Sequence, residues 1–198
     1  KKKFGRLKKG NSIEPLNIEE NQFEGREVVD LNITPYRIAR IGFRTVKPNH
    51  PDAIVLDVMA NIFNNSSKTG LIDKLNTENK ILSASGYNSL GGKDHGGFGF
   101  GFIPKDDSQT FEEAESLIFE AIDKVKNGKF DEDILSSIKL SMKMSHERSM
   151  EGSNGRLWKI MRIISKDLSW EDIKSSPQRI DNINKVDIVN VVNKYTKF

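Results

Sequence analysis

The stretch LIDKLNTENKILSASGYNSLGGKDHGGFGFGFIP, Leu71–Pro104, decides the fold. Its pattern predicts the end of a helix, a strand, a glycine-rich turn and a second strand, in which Phe98, Phe100 and Phe102 alternate with glycine. Because neighbouring strand residues point to opposite faces, one face carries three aromatic rings and the other is nearly bare backbone. Glycine weakens a strand unless another segment comes close, so we expect a helix or a second backbone on the bare face.

The flanking segments predict the rest of the architecture. Residues 27–33 and 36–46 alternate as two strands joined at Thr34-Pro35, and helical patterns follow Pro51 and Leu71. Further helices are predicted after residue 104, with starts or markers at Thr110, Asp131, Leu157, Ser169 and Asn184. The order β-β-α-α-β-β followed by helices is typical of an α+β fold, a mainly antiparallel sheet with helices packed largely on one face.

Length and composition favour one domain with an arm. The 198 residues can bury a real core, and a basic, polar segment precedes the first predicted strand. We therefore predict an arm or linker from a preceding domain at 1–22 and a folded domain at 23–198. The basic residues of the arm are also compatible with a patch for nucleic acid or an anionic membrane, although no aromatic platform accompanies them.

The composition, net charge and hydropathy of the chain exclude several classes of protein and site. The chain has no cysteine, which rules out thiolate catalysis and cysteine-bound zinc, and its net charge of +3 is no footprint for nucleic acid. No apolar run approaches the ~20 residues of a membrane span. The chain does not begin with Met, so we expect a piece of a longer protein. Its location stays open between a bacterial periplasm and a cytoplasm.

Three histidines offer little chemistry. His146-Glu147 begins like the helical zinc motif H-E-x-x-H, but Met150 stands where the second imidazole is needed, so no metal site is predicted. His50 is expected to cap the helix after Pro51. His95 follows an aspartate in a turn without a nucleophile nearby.

The glycine-rich segment itself invites two other hypotheses. A phosphate loop joins a strand to a helix, whereas this one joins two strands and lacks the G-K-[ST] ending. Phe98, Phe100 and Phe102 could stack RNA bases on an open sheet face, but aromatic rings under amphipathic helices are more often core. The core interpretation is favoured.

Together these residues resemble the insulinase/pitrilysin-type zinc metallopeptidases, the family of mitochondrial processing peptidase. The segments that carry the resemblance extend from about Glu27 to Phe198 and include IARIGFRTVKPNHPDAIVLDVMANIF, SSKTGLIDKLNTENKILSASGYNSLGGKDHGGFGFGFIPKDD, FEEAESLIFEAIDKVKNGKFDEDILSSIKLS and RIDNINKVDIVNVVNKY. The positions that match the family phrases in place are Leu71, Leu75, Asp187, Val192 and Tyr195.

The resemblance implies a non-catalytic domain. Catalytic domains of this family carry H-x-x-E-H, and this sequence has none. Non-catalytic domains often supply an Arg and a Tyr that grip the substrate, and these positions fall on Asn76 and Ser83, which can do neither job. The glycine loop of the processing peptidase would fall at 64–70, where only Gly70 is present.

We therefore predict an inactive domain that forms part of a substrate chamber and packs on a catalytic peptidase domain of the same or a paired chain. No catalytic, metal or confident substrate-binding residue is assigned to this chain. Zinc and the hydrolysis of a peptide substrate would belong to the partner. Two alternatives remain: an accessory domain that binds peptides through other residues, and an unrelated RNA- or protein-binding module on a similar fold. Neither nucleic acid nor a membrane span is expected.

Overall fold

One antiparallel sheet organises the described part of the chain in the computed structural model, which describes residues 5–8, 10–11, 25–89 and 92–197. Its three strands are β1 (Ala39–Thr45), β2 (Ser83–Ser89) and β3 (Gly96–Ile103), in the order β1-β3-β2. The alternating Phe/Gly strand β3 is therefore central. Phe98 lies opposite Phe43 on one side and Asn88 on the other. The predicted hairpin of β2 and β3 is confirmed.

Eight helices accompany the sheet in the described residues. They are α1 (Asp52–Phe63), α2 (Leu71–Thr77), α3 (Phe111–Lys126), α4 (Glu132–Glu151), α5 (Ser153–Lys166), α6 (Trp170–Lys174), α7 (Ser176–Asn182) and α8 (Lys185–Tyr195). Four of them, α3, α4, α6 and α8, begin after a residue whose side chain accepts from a free N–H group at the helix end. Thr110, Ser169 and Asn184 each form a capping box with the acidic residue three positions on. The predicted α+β architecture is confirmed at this level.

The core lies between the Phe face of the sheet and helices α1, α3 and α8. Phe98, Phe100 and Phe102 are at most 3% exposed. The ring of Phe63 at the end of α1 meets Phe100 edge-on, with 4.9 Å between centroids. Edge-to-face pairs of this kind add to the burial of their apolar area. The three rings are core, as predicted, and are not available to stack bases.

The alternate residues of the strands are exposed. They include Arg40 and Arg44 of β1 and Ser83, Ser85, Tyr87 and Ser89 of β2. A Cβ placed at Gly42 or Gly101 would meet nothing within 4 Å. At Gly99 it would meet the Ile41 carbonyl oxygen and the Tyr87 hydroxyl, each at 2.8 Å. The expected helix does not lie on the glycines of β3 among the described residues; a tyrosine from β2 covers Gly99 instead.

The prediction of a strand at 27–33 is wrong. These residues have no strand structure, and Val28, Val29, Leu31 and Ile33 are 64–80% exposed. Alternation alone does not make a strand, since each strand also needs a paired neighbour and a surface to pack on. The hairpin predicted at Thr34-Pro35 is therefore wrong too. The predicted strand at 36–46 is confirmed in its central part, as β1.

The chain divides into a first unit that ends at Asp30 and a second, Leu31–Lys197. The described residues of the first unit contain no helix or strand and are exposed, Arg6 and Lys8 among them. Most of the predicted arm at 1–22, including Lys1–Lys3 and Lys9, lies outside the described residues, so the boundary after residue 22 stays a prediction. In the described residues, no helix is long and apolar enough to cross a membrane.

A polar contact joins the start of α1 to the end of α8. The Asp52 carboxylate accepts hydrogen bonds from the Tyr195 hydroxyl at 2.6 Å and the Lys194 ammonium at 2.8 Å. Partial burial by itself would raise the pKa of Asp52, but these two bonds and the positive charge of Lys194 lower it. His50 fulfils its predicted capping role, since its Nδ1 accepts from the Asp52 N–H at 3.0 Å.

Candidate substrate edge around Asn76 and Ser83

The two positions at which the family resemblance would put a substrate-gripping Arg and Tyr, Asn76 and Ser83, lie at the outer edge of β2. Asn76 belongs to the last turn of α2, and Ser83 is the exposed first residue of the strand. The Asn76 amide nitrogen donates to the Ala84 carbonyl at 2.8 Å, and its oxygen accepts from the Ala84 N–H at 2.7 Å. Asn76 thus bonds to the residue next to Ser83. The structure brings the pair together without giving it a free polar group at Asn76.

The geometry explains what this asparagine does. A side-chain amide has one carbonyl and one NH2 group, so it can bond to a backbone residue as a peptide unit does. Both the NH2 group and the oxygen of the Asn76 amide are hydrogen-bonded to the backbone of Ala84. An added peptide strand would need those same N–H and C=O groups of β2. Asn76 therefore occupies the place that a neighbouring strand would take.

A second asparagine closes the next position of this edge. The Gly86 N–H donates to Oδ1 of Asn64, the residue that follows α1. The Asn64 amide nitrogen in turn donates to the Asp73 carboxylate at 3.1 Å. Asp73 is 1% exposed and also accepts from the N–H groups of Asn65 and Gly70, at 2.9 and 3.2 Å. A buried carboxylate needs such donors, and here they come from the loop between α1 and α2, so Asp73 ties that loop to the start of α2.

Gly70, the only glycine of the 64–70 loop, is required because the loop passes very close to the end of α1. A Cβ at this position would overlap the carbonyl oxygen of Phe63. The Gly70 N–H donates to the Asp73 carboxylate. The glycine is required for the close return of the loop onto α1, which is a packing role.

A third polar contact, this one between two side chains, lies at Asn88, further along β2. Its amide nitrogen donates to the Asp57 carboxylate of α1 at 2.8 Å. Burial raises the pKa of Asp57, although the hydrogen bond from Asn88 and the positive charges of Arg162 and Lys166 oppose the rise. The side-chain oxygen of Asn88, Oδ1, is buried and has no hydrogen-bond partner among the described residues. Residues of α1, α2 and the loop between them thus hold β2 at three successive alternate positions.

Sequence reasoning pointed to Asn76 but missed Asn64, Asp57 and Asp73. The available signal was the Asn64-Asn65 pair directly after an apolar helix, because asparagine side chains readily bond to neighbouring backbone. Nothing in the sequence showed that the backbone in question belongs to a strand about twenty residues further on.

The histidines form no metal centre in the described part of the chain, where no three His, Cys, Asp or Glu side chains come together to hold an ion. His146 lies half-buried on α4. Burial, and then the charge of Lys159, lowers the pKa of His146. His95 lies exposed in the turn before β3.

Several solved structures share this fold. A protease from Helicobacter pylori matches with a TM-score of 0.73 at 19% identity, over 81% of this chain and 38% of that one. An inactive peptidase domain from Bordetella parapertussis matches with a TM-score of 0.67 at 12% identity, over 84% and 88% of the two chains. A chain of complex III2 from Candida albicans matches with a TM-score of 0.63 at 15% identity, over 81% and 40%.

Such low identities show the fold alone, and the chain spans about two fifths of the length of the Helicobacter and Candida chains. No curated protein matches the sequence. The fold and the absence of H-x-x-E-H define a class, a peptidase-like α+β domain without the zinc motif. The sequence matches the family description "Peptidase M16 inactive domain" over residues 1–142. This chain belongs to that family, the inactive domain of M16 peptidases, and the predicted resemblance is confirmed.

Proposed function

We propose that this chain is a structural domain of an M16-type zinc metalloendopeptidase. It packs on a zinc-bearing catalytic domain of the same or a paired chain and forms part of the wall of a substrate chamber. Hydrolysis of the peptide, and the zinc ion that it requires, belong to the partner domain. The inactive-domain match and the lack of H-x-x-E-H support this division of roles.

The observation that carries the proposal is the closed edge of β2. Asn76 stands at the position where the family resemblance leads one to expect an arginine, and its amide is bonded to Ala84. Gly86 is bonded to Asn64 in the same way. A peptide that added to β2 as a strand would have to displace both amides. The domain therefore contributes shape to the chamber and does not grip the scissile region.

The sheet also offers a surface for the chamber wall. We infer that the helices cover largely the Phe face and that the opposite face is turned toward the chamber. Support comes from the exposed side chains of Arg40, Ser85 and Ser89 and the open space above Gly42 and Gly101. This surface is polar and open above Gly42 and Gly101, so an extended peptide could lie close to the backbone there, between the side chains of Arg40 and Tyr87.

The proposal is tested with the 198-residue chain and the H-x-x-E-H domain of this family encoded in the same genome. We expect the chain alone to retain no zinc and to cleave no peptide. Mixed with the zinc-bearing domain, it should co-elute in size-exclusion chromatography and raise the cleavage rate. A Glu→Gln change in the partner's motif is the control: it should abolish cleavage and leave the complex intact. Stoichiometric zinc with cleavage by this chain alone would refute the proposal.

A further inference from the structure

Helix α5 presents its apolar side to solvent. Leu157, Ile160, Met161 and Ile164 follow the spacing i, i+3, i+4, i+7 that places side chains on one face of a helix. Their exposures are 54%, 47%, 47% and 77%, and Trp158 beside them is 68% exposed. α5 contains no buried residue. An apolar stripe of this kind is normally what holds a helix to its own domain.

The opposite side of α5 faces the domain. Its half-buried residues are Gly155, Lys159, Ile163 and Lys166, again at helical spacing. Two of these four are lysines, and their burial lowers the pKa of both. The helix is therefore attached through its more polar side, with its most apolar side outward. A contiguous apolar helix face that is exposed to water indicates that another surface covers it.

We propose that the neighbouring zinc-bearing peptidase domain binds to the apolar face of α5. The binding surface of that domain would be an apolar groove with carboxylates at its rim. The inference rests on the proposed function and names the surface that the function requires. The match covers only 38% and 40% of the Helicobacter and Candida chains, which leaves room for a further domain in those proteins. The helix also lies beyond residues 1–142, the part that matches the inactive-domain description.

Charge decides the chemistry of the rim. α5 carries Arg156, Lys159, Arg162 and Lys166 and no acidic residue. Arg156 is exposed and lies beside the apolar face, next to Ile160 at helical spacing. Lys159 and Lys166 point toward the domain. Arg162, between them in sequence, acts through its positive charge on Asp57 of α1. Two copies of this helix would repel each other, which disfavours self-association through the face. Carboxylates beside an apolar groove would meet Arg156, and arginine pairs with them through two parallel hydrogen bonds.

The test uses the wild-type 198-residue chain grown with 5-fluorotryptophan, so that only its Trp158 and Trp170 give 19F NMR signals. The probe is the H-x-x-E-H domain used above, unlabelled. We expect the Trp158 resonance to shift and saturate, while Trp170 on α6 stays in place. Ile160→Ser with Ile164→Ser should weaken binding by more than ~tenfold, since each ~1.4 kcal/mol of lost contact is one decade. Arg156→Glu should weaken it as well.

Matched controls keep the outcomes distinct. Leu140→Ser with Met144→Ser removes two exposed apolar side chains from α4, and Lys174→Glu reverses a charge on α6; both should leave binding unchanged. Binding that is insensitive to the α5 substitutions would overturn this inference and leave the proposed function standing. No binding by the wild type would overturn both. A Trp158 shift with phosphatidylserine-rich vesicles and none with the domain would assign the face to lipid and overturn the inference.

Discussion

Helices α3 and α5 have similar amphipathic patterns, but the apolar side of α3 is buried and that of α5 is exposed. On α3 the apolar stripe is buried, with Ile118 at 0% and Ile122 at 1% exposure, against the Phe face of the sheet. On α5 the corresponding stripe is in solvent, with Ile164 at 77%. Periodicity therefore establishes that a helix has an apolar side but says nothing about what covers it. The helix with an uncovered side is the better guide to function, because burial in the core already explains the other.

The largest effect that tests this comparison is expected in α3. Ile118→Ala removes a fully buried side chain from the core, and such deletions cost about 2–5 kcal/mol through lost transfer energy and the cavity left behind. Urea unfolding followed by circular dichroism measures the loss. Leu117→Ala, one position away and only partly buried, is the control and should cost less. Equal losses at the two positions would contradict the assignment of the α3 core face.

A smaller effect is expected at the closed edge of β2. Asn76→Ala leaves the N–H and C=O of Ala84 without their partner, and since water reaches this half-buried place we expect a loss of about 2 kcal/mol. The Ala84 amide should also exchange with deuterium faster. Thr77→Ala, in the same turn but exposed, should stay within about 0.5 kcal/mol. Unchanged exchange at Ala84 would show that the amide of Asn76 does not hold the edge.

A still smaller effect is expected at the polar contact between α1 and α8. Asp52→Asn removes a carboxylate that Lys194 and Tyr195 hold, and we expect a loss of about 1 kcal/mol because the contact is partly exposed to solvent. The folded-state pKa of Asp52 is lowered, so its contribution is complete above the ordinary value of 3.8 and is lost as pH falls through the lower, folded value.

Unfolding measured from neutral to acid pH therefore checks this sign. The stability difference between wild type and Asp52→Asn should be constant near neutrality and should shrink below 3.8. Tyr195→Phe keeps the ring and the Lys194 contact, so it should give a smaller loss with the same pH dependence. A difference that grows in acid would mean that the carboxylate is not stabilised by these two donors.

Much of the fold could be predicted because local chemistry determines it. Capping boxes at Thr110, Ser169 and Asn184 and the Phe/Gly alternation of β3 depend on residues close in sequence, and all are found. The strand at 27–33 was predicted by the same kind of local evidence and is absent. A strand also depends on a partner and a packing surface, which alternation cannot supply.

At the candidate site, too, local sequence could predict the chemistry of single residues but not their long-range hydrogen bonds. Sequence alone indicated that Asn76 could not act as a guanidinium, which concerns one residue and its chemistry. It could not indicate that the amide is bonded to Ala84, or that Asn64 reaches Gly86, because these bonds depend on how α2 and the loop before it lie against β2. Long-range pairing of polar groups is set by the assembled fold, so it has no local pattern.

The smallest effect is expected where the same deletion is made on the uncovered helix. Ile164→Ala removes the side-chain atoms that Ile118→Ala removes, but at 77% exposure they make few contacts, so stability should change by no more than about 0.5 kcal/mol. Alanine also favours the helix slightly, which works against any loss. The measurement is the same urea titration on the 198-residue chain. A cost near that of Ile118→Ala would mean that the chain's own residues cover α5, and the contrast between the two helices would disappear. A negligible cost together with weaker binding of the zinc-bearing domain would show that the stripe serves association and not folding.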